Sequence, residues 1–167
     1  FWEGADGDSA TYTFSELRDQ ASRFAAFLAN QGVGAGDCVA GLLPRRVELL
    51  ITVLATWRLG AVYQPLFTAF GPKAIDHRLQ TAGTRVVVTD GDNRGKLDGL
   101  ESDPLVVTVG GDKGRGIRRG DFSFWAELES HQDGAEPVMR SADDPFLMMF
   151  TSGTTGLPKA VPVSYTH

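Results

Sequence analysis

The chain is poor in the residues that build cross-links and metal cages. It has one cysteine, Cys38, and three histidines, His77, His131 and His167, among 167 residues. A single thiol excludes an intrachain disulfide framework and a thiolate metal site, and the histidines stand at no ligand spacing. Cys38 follows Asp37 at the start of an apolar run and reads as a small core residue. No stretch approaches the roughly 18–20 apolar residues of a membrane span, and the first residues lack the basic-then-apolar order of a signal peptide. A soluble, cytoplasmic protein is the expectation. Basic charge is also short: 16 Lys and Arg stand against 21 Asp and Glu, a net charge of −5. That disfavours a nucleic-acid partner, which needs a basic face. Internal repeats and low-complexity segments are missing too. The chain starts at Phe1 without methionine and ends soon after its most informative run, so it is expected to be part of a longer polypeptide.

What is present suits one domain with a sizeable core, with 42% hydrophobic and 22% charged residues. Thr13 and Glu16 have the spacing of a capping box, which starts a helix carrying Leu17, Ala21, Phe24, Ala25 and Leu28 inward, with Gly32 at its left-handed stop. Glu16 reads as a cap rather than a catalytic acid. Residues 38–43 read as a short buried strand ended by Pro44. A helix is expected over 45–59, with Leu50, Val53, Leu54 and Trp57 inward and Gly60 as its stop. Further strands are expected at 61–66, 84–89 and 105–109, a helix from Pro72 to Gly83, and a short helix at 122–128. The glycine-rich, charged span 110–120 reads as a mobile loop, and its cluster of Lys113, Arg115, Arg118 and Arg119 as a solvated surface. Strands alternating with helices imply a mostly parallel sheet covered on both faces, with ligands outside the carboxyl ends of the strands.

One run carries chemistry. The apolar segment Phe146-Leu147-Met148-Met149-Phe150 ends directly in Thr151-Ser152-Gly153-Thr154-Thr155-Gly156-Leu157-Pro158-Lys159. Hydroxyls on Thr151, Ser152, Thr154 and Thr155 can donate to phosphate oxygens, and Gly153 and Gly156 permit a backbone that turns N–H groups toward one point. Lys159 adds a full positive charge. Charge-assisted hydrogen bonds of this sort contribute roughly 1.5–3 kcal/mol each, so a handful can hold a triphosphate or a leaving pyrophosphate. The Walker A loop, G-x-x-x-x-G-K followed by Ser or Thr, does not fit, because Lys159 lies three places after Gly156 and precedes Ala160. A plain Ser/Thr/Gly turn between two strands is the bland alternative.

The run resembles, position by position, the phosphate loop of the adenylate-forming superfamily, S/T-S-G-S/T-T-G-x-P-K, which includes acyl-CoA synthetases, luciferases and peptide-synthetase adenylation domains. Two upstream segments resemble that family's other signatures in the same order: Tyr12-Thr13-Phe14-Ser15-Glu16-Leu17 and Leu59-Gly60-Ala61-Val62-Tyr63-Gln64-Pro65-Leu66. The resemblance implies that residues 1–167 are the N-terminal portion of an AMP-binding domain, ending after the phosphate loop. It implies an enzyme that uses ATP, Mg2+ and CoA to turn a carboxylic acid into an acyl-adenylate and then a thioester. In that reading Lys159 is the catalytic counter-charge, Thr151, Ser152, Thr154 and Thr155 are donors to ATP, and Gly153 and Gly156 shape the backbone.

The stretch 67–72 with Arg78, followed by 86–90, looks like the acetyl- and propionyl-CoA synthetase branch, in which an R-G-G-K/R segment helps bind the nucleotide end of CoA. Arg94-Gly95-Lys96 resembles it with one residue missing, which makes Arg94 a candidate CoA ligand. Two departures stand out: Ala160 where the family has glycine, and Tyr165 where it has histidine. A different adenylation domain, an aryl- or medium-chain acid ligase, or a catalytically silent phosphate-binding scaffold are the competing readings. The adenine and acyl contacts and a second lysine of such enzymes lie downstream, so residues 1–167 alone are not expected to catalyse the reaction.

Overall fold

The computed structural model describes residues 2–3, 7, 9–110, 115–151 and 156–166. A short antiparallel pair, β1 (Trp2–Glu3) and β2 (Ser9–Ala10), precedes α1 (Phe14–Asn30). There follow β3 (Cys38–Leu42), α2 (Val47–Arg58), β4 (Val62–Pro65), α3 (Pro72–Ala82) and β5 (Thr84–Asp90). A 3-10 turn at Arg94–Leu97 leads on to β6 (Leu105–Val109), β7 (Phe122–Ser123) and α4 (Phe124–Ser130). The last described strands are β8 (Leu147–Thr151) and β9 (Lys159–Val163). The main sheet has seven strands in the order β7-β6-β5-β3-β4-β8-β9, parallel throughout except for the β8–β9 pair.

Strands covered on both faces need apolar residues at consecutive positions, and β3 is buried along its whole length. Alternation then divides the core. Val39, Val86, Val88 and Val107 face α1, α2 and α4, with Phe24, Phe27 and Phe124 filling that layer. Ala40, Leu42 and Val87 face the other way, toward Ile75 and Leu79 of α3 and Leu97.

The helix boundaries follow local chemistry. Glu16 N–H donates to Thr13 Oγ1 at 3.1 Å, and the Glu16 carboxylate accepts from Thr13 N–H at 2.7 Å, so the expected capping box forms. Gly71-Pro72 starts α3 and Gly83, at φ 59°, ends it in the left-handed region.

The expected inward face of α2 is wrong. Leu50 and Trp57 are exposed, whereas Glu48, Ile51, Thr52, Ala55 and Thr56 are buried. Threonine hides in this interface because its hydroxyl is satisfied within the helix: Thr52 Oγ1 donates to Glu48 O and Thr56 Oγ1 to Thr52 O, both at 2.7 Å. Buried Glu48 is held by Arg46, whose Nε lies 2.7 Å from Oε2, and by the Trp125 indole N–H at 3.1 Å. A second difference is β9, which sequence reading left out. Of the span expected to be a mobile loop, Lys113 and its neighbours at 111, 112 and 114 lie outside the described residues. Cys38 is buried as expected, and burial raises its thiol to about 11, against smaller opposing help from Thr84.

Candidate functional site

The strongest candidate lies where β8 leaves the sheet. β8 runs parallel to β4, with Tyr63 opposite Leu147, so its carboxyl end points to the same side as the ends of β3, β5 and β6. Beyond Thr151 the chain turns back as β9, and Thr151 and Lys159 form the last registered pair of the hairpin. Both are exposed. Side chains alternate along a strand, so Thr151 and Lys159 share one face while Phe150 and its partner Ala160 share the other. The Phe150 ring faces α3, and Thr151 and Lys159 therefore leave the hairpin on the side away from that helix. Lys159 has no ion pair among the described residues.

Gly156 has φ 111°, and no atom of the described residues lies near the position a β-carbon would take, so it is the backbone angle that favours glycine there. Ser152, Gly153, Thr154 and Thr155, the remaining members of the predicted run, lie outside the described residues. Ala160, the first departure from the family pattern, sits in extended strand, where alanine needs no unusual backbone angle. Tyr165, the second, stacks on Phe146 with ring centroids 4.6 Å apart.

Arg94 is in a different situation. Its Nε and Nη2 donate to both carboxylate oxygens of Asp121 at 2.8–3.0 Å, and its Nη1 donates to Asp98 at 3.1 Å. Asp121 also accepts from Thr108 Oγ1 at 2.7 Å and Arg118 N–H at 3.1 Å. Burial pushes the Asp121 carboxyl up, but these donors outweigh it and hold it below its ordinary range, and Asp121 in turn raises Arg94. This cation is already neutralised inside the protein, and it ties the 3-10 turn to the start of β7. Lys96 is likewise engaged, with Asn93 Oδ1 at 2.8 Å and the Thr68 carbonyl.

Sequence reasoning gave no role to His77, yet its Nε2 donates to the Pro158 carbonyl at 3.0 Å, directly before Lys159. No local signal announces this contact. The partners lie 81 positions apart. Among the described residues no three His, Cys, Asp or Glu side chains gather as a metal site, and no helix is long and apolar enough to cross a membrane.

Fold and hairpin together define an α/β domain with its candidate site beyond the carboxyl ends of parallel strands. The chain belongs to the AMP-binding enzyme family, whose family model matches residues 3–167. It is 34% identical, over 96% of its length, to an acetyl-coenzyme A synthetase of Methylobacillus flagellatus, of which it covers 27%. To acetyl-coenzyme A synthetase 2 of Candida glabrata it is 35% identical over 92% of its length, covering 25% of that protein. Among solved structures, a Brucella canis acyl-CoA synthetase superposes with a TM-score of 0.90 at 48% identity, over 97% of this chain and 29% of the other. ATP-bound MatB from Rhodopseudomonas palustris superposes with a TM-score of 0.77 at 32% identity, over 96% and 31%. These similarities bear out the expected family and fold class. The chain spans less than a third of each of these proteins.

Proposed function

We propose that residues 1–167 are the N-terminal part of the AMP-binding domain of a cytoplasmic acyl-CoA synthetase that activates a small carboxylic acid. The observation that carries this reading is the exposed, registered Thr151–Lys159 pair at the two ends of the hydroxyl- and glycine-rich sequence run, at the carboxyl side of the sheet, in a chain of this family. In the first half-reaction an acid oxygen bonds to the α-phosphorus of ATP and the bond to the β-phosphate oxygen breaks, releasing pyrophosphate. In the second, the CoA sulfur bonds to the acyl carbon and AMP leaves. Carboxylate is a weak nucleophile and pyrophosphate a highly charged leaving group, so charge must be neutralised where it develops. Lys159 supplies that charge at the β- and γ-phosphates, and the hydroxyls and amides of the run supply hydrogen bonds. Acetate-sized acids are favoured because the curated relatives above are acetyl-coenzyme A synthetases.

Magnesium accompanies triphosphates in such reactions. The described residues offer no cluster of His, Cys, Asp or Glu that would hold it. For CoA, Arg94 remains the sequence-based candidate, but its guanidinium already serves two carboxylates, which favours a structural role. The test is ATP–pyrophosphate exchange by the intact protein across a panel of short carboxylic acids. Acid-dependent exchange, greatest with acetate or propionate and lost in Lys159→Ala, is expected. A folded, intact protein that exchanges with no acid would favour the silent-scaffold reading instead.

A further inference from the structure

α3 touches the candidate site at two points that the proposed chemistry leaves unused. His77 donates to the Pro158 carbonyl at 3.0 Å, fixing the residue before Lys159. The next residue, Arg78, is buried, and its guanidinium lies between two rings, 4.1 Å from the centroid of Phe70 and 5.5 Å from that of Phe150, the residue before Thr151. Arg78 has no ion pair among the described residues, and its Nη1 donates to the Ala74 carbonyl at 2.8 Å. Its own carbonyl is held by the Gln64 side-chain amide at 3.0 Å, which anchors α3 to β4. One helix thus meets both flanks of the hairpin, and does so on the face opposite Thr151 and Lys159.

We propose that His77 is a positioning residue for Lys159: its N–H holds the Pro158 carbonyl and thereby sets the direction of Lys159, with Arg78 backing Phe150 on the neighbouring strand. This rests on the phosphate reading of Lys159. A carbonyl can only accept, so Nε2 carries the proton in this contact. The Pro158 peptide ends at the nitrogen of Lys159, so a displaced carbonyl reorients that residue's backbone. Electrostatic stabilisation depends on such preorganisation, and a lysine on a freely turning backbone would hold the phosphate less well.

The experiment compares His77→Phe, which keeps a ring against Phe150 but has no N–H, with His77→Gln, whose amide reaches about as far as Nε2. ATP–pyrophosphate exchange in the intact protein is followed with Lys159→Ala in parallel. His77→Phe is expected to raise the KM for ATP and for pyrophosphate about tenfold, the worth of one ordinary hydrogen bond, with the KM for the acid unchanged. His77→Gln should return both to within about twofold of the parent. Equal behaviour of the Phe and Gln variants, or equal rises in the KM for ATP and for the acid, overturns the proposal. A normal His77→Phe beside an impaired Lys159→Ala removes only the positioning role. An unimpaired Lys159→Ala removes the phosphate reading and the brace with it.

Discussion

Two cations, Arg94 and Lys159, were both expected to meet anionic substrate, and the fold treats them differently. Arg94 is half-buried in a clasp with Asp121 and Asp98, and each of its nitrogens faces a carboxylate. Lys159 stands exposed at the connected end of a hairpin, with no ion pair among the described residues. A charge neutralised within the protein contributes to folding and leaves little for a ligand. A charge on a fixed backbone without a counter-ion is available to one.

The contrast predicts opposite signatures. Lys159→Ala should lower the rate of ATP–pyrophosphate exchange in the intact protein by about 10²–10³-fold, with little change in thermal stability. Asp121→Ala should do the reverse, because it leaves a half-buried guanidinium with only Asp98 as a partner. A loss of roughly 1–3 kcal/mol is expected from urea unfolding, with exchange per folded molecule preserved. If Arg94→Ala instead raised the KM for CoA while leaving stability intact, the division between the two cations would fail.

A smaller effect separates the two faces of α2. Ile51→Ala should cost about 2–4 kcal/mol by creating a cavity, and Leu50→Ala less than about 1. Equal losses in paired unfolding curves would restore the inward face expected from sequence. Smallest is the acid response of Asp76. Burial raises its carboxyl, but hydrogen bonds from Ser102 Oγ at 2.6 Å and from the Ser102 and Glu101 N–H groups prevail and hold it at about 2, below the ordinary 3.8. A depressed carboxyl contributes stability that is complete above its unfolded value and is lost as pH falls through its folded one. Stability should therefore drop between about pH 4 and pH 2, and Asp76→Asn should flatten that slope. Identical slopes for parent and variant would show that these bonds do not bias folding.

Features written in adjacent residues were legible in the sequence. The Thr13–Glu16 box, the Gly71-Pro72 start and Gly83 stop of α3, and the β-branched run of β6 each depend on neighbours within a few positions. What escaped depends on distant partners. Arg94 reads as a free cation until Asp121, 27 residues on, is brought against it. The α2 face was misread because hydrophobicity alone ranks Leu50 and Trp57 above Thr52 and Thr56, whereas threonines that bond their own helix bury without an unsatisfied hydroxyl. β9 escaped because Lys159 and Pro162 are poor strand residues, and pairing with the distant β8 is what makes it a strand. The same holds for the site itself. Residue types in 151–159 raise the expectation of phosphate chemistry, while the registered pairing of Thr151 with Lys159 and the contact from His77 exist only in the folded chain.

The most direct measurement is calorimetric titration of ATP, with magnesium present, into the intact protein and its Lys159→Ala and Arg94→Ala variants, at a temperature where all three are folded. If the exposed lysine is the phosphate ligand and the clasped arginine a structural one, affinity falls at least about tenfold in Lys159→Ala, the loss expected for one charge-assisted contact, and is unchanged in Arg94→Ala. Unaltered affinity in Lys159→Ala would contradict the assignment of this hairpin to phosphate.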